Sequence, residues 1–278
     1  MVLNSVPREP EGRRVTVDIG RKRGSVSKRQ RHDQIAAAVQ ASGRARVLDL
    51  SEVLGVSEMT VRRDLEEMEA QRLLVRVHGG AISTRSRSFE PGFAARSRQN
   101  VDVKRRIGQA TAELIRDGET VILDAGTTTL HVAQALRPDI QIRAMALSLQ
   151  IADVLADLPN LTLMLPGGTV RPRERSLVGA MTIATFERLA FDTVVLTSGG
   201  VDVAEGVTEY DVDDAETKRA ALRSARRTIV VADATKLGAV AFVRLCPVTD
   251  IDVLVTDRSA SPTHVAALRD AGVEVILA

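Results

Sequence analysis

The chain has 278 residues, and its 44% hydrophobic and 27% charged fractions are those of an ordinary globular protein. No apolar run approaches the roughly 20 residues of a membrane-spanning helix, and no apolar region follows Arg13 and Arg14, so we expect no twin-arginine export signal. The single cysteine, Cys246, excludes an internal disulfide and a cysteine-based zinc site and predicts a cytoplasmic protein. With no Trp and one Tyr, the chain lacks the aromatic platforms that stack single-stranded nucleic acid.

Residues 1–29 form a basic segment without hydrophobic periodicity. They hold eight Lys or Arg residues against three acids, although the net charge of the whole chain is only +2. This composition predicts a disordered arm. Two interpretations stay open: a solubilising extension, or a cationic tail that adds salt-dependent affinity for a DNA backbone.

Residues 30–81 have the pattern of a winged helix-turn-helix. The hydrophobic periodicity predicts helices over residues 31–41, 48–54 and 58–72, with the turn 55–57 between the second and the third. A β-prone run and a glycine turn follow the third helix, and they predict a wing that lies against it. A helix-turn-helix of this kind places its third helix in the major groove of DNA.

The third helix carries a cap, a buried face and a basic face. Ser57 is a favourable N-cap, and Thr60 occupies the third helical position. The residues expected on the buried face recur at helical spacing: Val61, Leu65 and Met68. Arg62 and Arg63 fall off this stripe, so we expect their guanidinium groups to face solvent or DNA.

Residues 82–101 lack periodicity and are predicted to be a linker to an α/β domain over residues 102–278. The predicted strands span 120–124, 141–147, 161–165, 193–197, 228–232, 251–256 and 273–277, and the predicted helices span 103–116, 128–136, 149–158, 177–189, 213–225 and 262–271. Apolar strands that alternate with amphipathic helices predict a mostly parallel sheet covered on both faces.

Polar and glycine-rich turns follow several of these strands, at the positions where parallel sheets bind ligands. The first turn contains Asp124, Gly126, Thr127 and Thr128, which together with free amides at a helix N-terminus are typical of an anion-binding turn. A plain capped strand-to-helix turn is the alternative. The further candidates are Gly167, Gly168, the segment 198–202, Lys236 and the arginines 171, 173 and 175. Lys236 and Arg171 are cations suited to phosphate.

The sequence shows no catalytic or metal-binding motif. The four histidines have no metal-ligand spacing, and neither a phosphate-binding P-loop nor a nucleophile elbow is present. Asp124, Asp202 and Glu216 are conceivable acid–base groups, but acids at these positions are as often caps. We therefore expect no enzymatic activity, no metal and no cofactor.

In both halves the motifs resemble those of the DeoR family of bacterial transcriptional regulators. The first half carries Val-Ser-Glu-Met-Thr-Val-Arg-Arg-Asp-Leu (56–65) and Arg-Val-His-Gly-Gly-Ala (76–81). The second carries Asp-Ala-Gly-Thr-Thr (124–128), Pro-Gly-Gly (166–168), Ser-Leu-Val-Gly (176–179) and Asp-Ala-Thr-Lys (233–236) in the family's order. The resemblance implies an N-terminal winged helix-turn-helix joined to a C-terminal α/β sensor domain similar to sugar-phosphate isomerases and CoA transferases.

The resemblance also assigns residues to roles. It implies DNA contacts by Ser57, Thr60, Arg62, Arg63, Arg76, His78 and Gly79. It implies effector contacts by Asp124, Gly126, Thr127, Thr128, Gly167, Gly168 and Lys236, to which we add Arg171 from its position. The implied regulator is an oligomer, a dimer or tetramer, and is often a repressor of carbohydrate genes with a phosphorylated sugar as effector.

Two departures from the family pattern qualify these expectations. The family usually has a glycine at the end of the recognition helix, where this chain has Arg72. The family often shows Thr-Asn-Ser after the second sensor strand, where this chain has Ala146, Leu147 and Ser148. The loss of an amide side chain leaves two alternatives open: a DNA-binding activator with a degenerate sensor and, less favoured, a sugar-phosphate enzyme.

Overall fold

The computed structural model describes residues 27–42, 44–70, 73–82, 87 and 90–278, which fall into two units, Met1–Arg85 and Ser86–Ala278. Most of the predicted arm and the departure at Arg72 therefore lie outside the described residues. No helix among the described residues is long and apolar enough to cross a membrane.

The first unit is the predicted winged helix-turn-helix. Its elements are α1 (Lys28–Ser42), β1 (Arg44–Arg46), α2 (Val47–Leu54), α3 (Glu58–Ala70), β2 (Val75–Val77) and β3 (Gly80–Ile82). Its core unites the three helices and the wing: Ile35, Val39, Val47, Leu50, Leu54, Val61, Leu65, Met68, Leu74 and Ala81. Helix α1 begins three residues before the predicted start, so Lys28 and Arg29 belong to it rather than to a disordered arm.

Strand β1 was not predicted, because a three-residue Arg-Ala-Arg run carries no alternation signal. It pairs antiparallel with β3, which gives the wing the strand order β1-β3-β2. Gly80 makes this close approach possible, since a Cβ there would lie 2.2 Å from the carbonyl oxygen of Ala45. The pairing is long-range in sequence, so local pattern does not reveal it.

The second unit is built on a sheet of seven parallel strands in the order β15-β14-β12-β9-β4-β5-β6. These strands are β4 (Thr120–Leu123), β5 (Arg143–Ala146), β6 (Thr162–Met164), β9 (Phe191–Leu196), β12 (Ala225–Val231), β14 (Val253–Thr256) and β15 (Glu274–Leu277). The helices are α4 (Phe93–Arg96), α5 (Val101–Ala112), α6 (Thr127–Ala135), α7 (Leu149–Ala156), α8 (Ala180–Phe186), α9 (Val212–Ser224) and α10 (Pro262–Asp270). Two separate hydrophobic clusters cover the two faces of the sheet, as the sequence predicts.

The short antiparallel strands of this unit differ from the predictions. A second sheet joins β10 (Gly200–Asp202), β11 (Gly206–Glu209) and β13 (Val243–Cys246), and a third pairs β7 (Thr169–Val170) with β8 (Leu177–Val178). The predicted helix over residues 177–189 is therefore wrong at its start. Leu177 and Val178 form β8, and Gly179 at a φ of 102° separates that strand from α8.

The predicted linker over residues 82–101 is structured in its second half. Residues 90–99, which we name the strap, contain α4 and precede α5. Glu90 is paired with Arg171 at 2.8 Å, and Arg96 is paired with Glu174. The backbone amide of Phe93 also donates to Glu174 Oε1 at 2.9 Å. These contacts hold the strap within the second unit.

Candidate functional site

The beginning of helix α3 has the predicted cap. The backbone amide of Thr60 donates to Ser57 Oγ at 3.2 Å, and the two hydroxyl oxygens lie 3.0 Å apart. One free amide of the first helical turn is thereby satisfied, and both hydroxyls are tied to each other. The cap therefore stabilises the first turn of α3.

The outer face of α3 carries the predicted arginines. Arg62 and Arg63 are exposed, whereas Val61 and Leu65 are at most 1% exposed. The Arg62 guanidinium lies 2.7 Å from Glu58 Oε2, one turn earlier. The exposed arginine surface is therefore partly neutralised by the helix itself.

Asp64 was not singled out in the sequence, yet it ties α3 to α1. Its carboxylate accepts hydrogen bonds from Arg31 at 2.7 and 3.0 Å, and His32 lies 3.3 Å away. Burial opposes the charge of Asp64, but the hydrogen bond from Arg31 prevails and holds its pKa below the usual value. The orientation of the recognition helix therefore rests on a buried ion pair as well as on apolar packing.

The wing is fastened to α3 through Arg76. Its backbone amide donates to Glu69 Oε1 at 3.0 Å, and its guanidinium pairs with Glu66 at 2.7 Å. At the turn of the wing His78 is exposed, and Gly79 has the positive φ of 78° that a glycine accommodates.

The predicted DNA-binding residues other than Ser57 therefore share one surface of the first unit. A groove of about 700 Å³ is lined in part by Thr60, Arg62, Arg63 and Arg76. An adjoining hollow of about 280 Å³ shares Arg62 and Arg76 and adds His78 and Gly79.

The second unit has a polar cavity at the carboxyl ends of β4, β9 and β12. Its volume is about 70 Å³. Thr127 and Thr128 at the start of α6 line it together with Lys236, as predicted, and Ser198 joins them. The strap contributes Pro91, Arg96 and Gln99, and the remaining lining residues are Lys104, Thr197, Val231, Ala232, Asp233 and Thr235.

Three cations face this cavity, and the sequence had indicated only one of them. Lys236 lies with its Nζ 3.4 Å from Tyr210 Oη. Lys104 is 4% exposed and donates to the backbone carbonyl of Arg96 at 2.6 Å, and burial lowers its pKa to about 8. The third cation is Arg96 itself, whose Nε is buried without a hydrogen-bond partner in the described part of the chain, as is Ser198 Oγ.

A sequence signal for Lys104 existed. It occupies the buried face of α5 with Ile107, Gly108 and Thr111, at spacings of three, four and seven residues. A lysine within an apolar stripe is unusual, because lysine is almost never fully buried unless it is paired. Arg96 had no comparable signal, since it lies in the segment interpreted as a linker.

The other predicted effector residues have different surroundings. Gly126 lets α6 begin close to β9, since a Cβ there would lie 2.5 Å from the Thr197 side chain. Asp124 is buried and accepts hydrogen bonds from the backbone amide and hydroxyl of Thr197, both at 2.9 Å. Asp124 thus shapes the cavity from behind rather than lining it.

Gly167, Gly168 and Arg171 do not line the cavity, although the sequence analysis grouped them with it. Gly167 accepts a hydrogen bond from Thr182 Oγ1 at 2.8 Å, and a Cβ on Gly168 would lie 2.1 Å from that oxygen. Gly168 therefore allows the chain to pack against α8, whereas Gly167 has a positive φ of 76° and room for a Cβ. Arg171 pairs instead with the acids Glu90, Asp211 and Asp214, at 2.8, 3.2 and 3.2 Å.

Behind the cavity lies a buried charge cluster centred on Lys218. This lysine is 2% exposed, and its Nζ lies 2.5 Å from Glu209, 3.0 Å from Asp124 and 3.3 Å from Asp214. Burial opposes its charge, but the three carboxylates prevail and raise the pKa of Lys218 well above its usual value. Burial raises the pKa of Asp124 to about 6 against the attraction of Lys218. No group of three or more His, Cys, Asp or Glu residues in the described chain has the geometry of a metal site.

Comparison with known families agrees with this architecture. A model of the DeoR-like helix-turn-helix domain matches residues 31–87, and a model of the DeoR C terminal sensor domain matches residues 99–258. The chain belongs to the DeoR family. This DeoR-family regulator thus carries the family's DNA-binding domain and sensor domain in the order that the motifs predict.

Two relatives illustrate the family match, and one solved structure shows a weaker likeness. The HTH-type transcriptional regulator GlpR of Haloferax volcanii is 34% identical over 247 residues, covering 89% of this chain and 96% of the relative. The glycerol-3-phosphate regulon repressor of Escherichia coli K12 is 31% identical over 248 residues, covering 89% and 98%. The full-length sorbitol operon regulator SorC from Klebsiella pneumoniae aligns with a TM-score of 0.39 at 12% identity, covering 85% of this chain and 98% of that one.

Proposed function

We propose that this DeoR-family regulator is a sequence-specific repressor of carbohydrate genes that leaves its operator when a phosphorylated sugar binds the sensor domain. The observation that carries the proposal is the cavity in which Lys104, Lys236 and Arg96 face the hydroxyls at the start of α6. It acts on DNA in the cytoplasm and has no enzymatic activity of its own.

A phosphate group suits this cavity better than a neutral sugar does. The start of α6 offers free amides and the positive end of the helix dipole, to which Thr127 and Thr128 add hydroxyl donors. Lys104 and Lys236 are point charges for the phosphate oxygens. Arg96 is paired through Nη2 with Glu90 and Glu174, and its buried Nε has no hydrogen-bond partner among the described residues and can donate to the ligand. The acid among the lining residues, Asp233, is turned to its own loop, where it accepts from the Thr235 amide at 3.0 Å.

The strap suggests how binding is transmitted. It lines the cavity through Pro91, Arg96 and Gln99, and it leads along the chain toward the DNA-binding domain. A ligand in the cavity therefore contacts the strap and can favour a different position of it. Lys104 donates to the Arg96 carbonyl at 2.6 Å and has two further N–H donors for a phosphate, so this lysine links a bound phosphate to the strap.

The release mechanism then needs only a difference in affinity. The effector binds the form with the displaced strap more tightly, and operator DNA binds the other form more tightly. We propose a homo-oligomer with paired heads, because two half-sites multiply affinity through effective concentration and make release sensitive to head spacing.

The departure at Ala146, Leu147 and Ser148 weighs little against an effector. None of the three is among the cavity-lining residues that the structure describes, and Ser148 caps α7 by accepting from the Ile151 amide at 3.2 Å. The absence of the family's amide side chain at this point therefore leaves the three cations of the cavity in place. This favours a ligand-binding sensor over a degenerate one.

The test is operator release. A duplex enriched from a random library by the purified full chain is labelled, and its fluorescence anisotropy is followed during titration with sugars and their phosphates. We expect release by at least one phosphosugar and by no unphosphorylated counterpart. Failure to enrich any sequence would refute the DNA-binding claim, and turnover of a phosphosugar would favour an enzyme.

A further inference from the structure

One apolar side chain on the outer face of α3, that of Met59, lies outside the core. Met59 is 71% exposed, whereas the methionine of the buried face, Met68, is 0% exposed. Among the described residues of α3 it is the large apolar side chain that faces solvent, and it lines the groove with Arg62 and Arg63. A single exposed apolar side chain needs no explanation by itself, so the inference about Met59 rests on its place in the groove beside Arg62 and Arg63.

The position of Met59 within the helix indicates what it meets. It occupies the second helical position, directly after Ser57 and Glu58, and the first turn of a recognition helix is the part that reaches base edges. Arg62 and Arg63 follow at spacings of three and four residues and therefore lie on the same face. The three side chains form one stripe of one apolar and two cationic groups.

The neighbours of Met59 on this turn are polar and already partnered. Glu58 pairs with Arg62 at 2.7 Å, and Thr60 is bound to Ser57. Met59 can form no comparable hydrogen bond, because its thioether is a weak acceptor and no donor. Its contribution to an interface is apolar contact through a flexible side chain that adapts to its surroundings.

In the major groove, the 5-methyl group of thymine is the apolar feature that a base edge presents. We propose that Met59 is a specificity-determining residue that contacts the 5-methyl group of one thymine in each operator half-site. This inference rests on the proposed operator binding and adds to it the base type read by the first turn of α3. Arg62 and Arg63 then supply the polar contacts on either side.

The test removes the methyl group from the DNA and the thioether from the protein. In the operator enriched by the full chain, each thymine is replaced in turn by deoxyuridine, which changes only that methyl group. Affinities are measured for the native chain, Met59→Leu, Met59→Gln and Val53→Ala. Val53 is a matched control, because it is 67% exposed on α2 and does not line the groove.

The expected result is specific in position and in variant. Conversion of one thymine per half-site to deoxyuridine lowers the affinity of the chain for the duplex about fourfold. This factor corresponds to the free energy of burying one methyl-sized group. The native chain, Met59→Leu and Val53→Ala show this loss, whereas Met59→Gln binds the two duplexes equally. Because the side chain is exposed, all variants are expected to unfold at the temperature of the native chain.

Other outcomes separate the two claims. If the native chain enriches no sequence, the proposed operator binding fails and the thymine contact fails with it. If operator binding holds but no thymine is sensitive, or Met59→Gln keeps the same sensitive thymine as the native chain, the Met59 inference alone is overturned.

Discussion

The two surfaces that we propose to bind anions carry their cations in different surroundings. On α3, Arg62 and Arg63 are exposed, and Arg62 and Arg76 are paired with the acids Glu58 and Glu66 of the same helix. In the cavity, Lys104 is buried and donates to a backbone carbonyl. We expect the first surface to exchange weak ion pairs for contacts with DNA, and the second to offer its ligand a cation that is already buried.

Because of this difference, we expect operator affinity to depend on salt and effector affinity to depend on how the ligand fits the cavity. Exposed ion pairs contribute little and are screened, so the DNA surface gains from many contacts and from counterion release. A buried cation is costly to keep charged, so each one in the cavity has a large effect on a ligand of opposite charge.

Lys218→Met is expected to destabilise the sensor domain by about 3–5 kcal/mol, because it leaves Asp124 and Glu209 buried without their cation and leaves Asp214 with Arg171 alone. The matched variant in the DNA-binding domain is Arg62→Ala. Each variant removes a cation four residues from an acid, but the exposed pair with Glu58 is worth only about 0.3–0.5 kcal/mol. Urea unfolding measures both, and similar losses in the two variants would contradict the contrast.

Lys104→Met is expected to weaken phosphosugar binding by about 2–5 kcal/mol while leaving operator affinity unchanged, because it removes a buried cation from the anion. Calorimetry with the phosphosugar that releases the operator measures the first quantity. Lys28→Met is the control, because Lys28 lies on α1 in the other domain. Unaltered effector affinity in a folded Lys104→Met chain would remove this lysine from the site.

Arg63→Ala is expected to weaken operator binding by about 1–3 kcal/mol if Arg63 makes a bidentate base contact. The side chain is exposed, so the substitution leaves the fold intact. Anisotropy against the enriched operator and against a scrambled duplex measures the loss. Equal weakening on both duplexes would assign Arg63 to the DNA backbone, and no change on either would exclude it from the interface.

The effector affinity is expected to fall as pH rises above about 8, where Lys104 loses its proton. The fall is at most about tenfold per pH unit, because one proton is taken up with the ligand. The phosphate remains a dianion throughout this range, since its second pKa is about 6. Lys104→Arg stays charged, so its affinity is expected to be independent of pH from 7 to 9. A falling profile in that variant would assign the titration to another group.

The sequence predicted the winged helix-turn-helix and the mostly parallel sheet, and particular residues explain why it went no further. Thr127, Thr128 and Lys236 follow strand ends, and parallel strands bring such ends together. Gly167 and Gly168 follow a strand end as well, but they do not line the cavity, and Gly168 makes room for Thr182 of α8. The local sequence does not distinguish a glycine that leaves room for a ligand from a glycine that leaves room for a neighbouring helix.

The residues that were missed depend on long-range contacts. Arg96 reaches the cavity because Glu90 and Glu174 hold the strap. Glu174 is 78 residues away from Arg96 in the sequence. Strands β1 and β8 consist of only two or three residues, too few for periodicity to appear. Lys104 and Asp64 were visible as charges on buried helix faces, and such exceptions to the apolar pattern mark residues worth attention.

The most direct test of the account separates its two surfaces in one experiment. Operator anisotropy and effector calorimetry are measured for the native chain, Arg63→Ala and Lys104→Met with the releasing phosphosugar. The account predicts that Lys104→Met binds the operator normally and is not released, while Arg63→Ala binds the operator weakly and the phosphosugar normally. Release of Lys104→Met at the native phosphosugar concentration would contradict it.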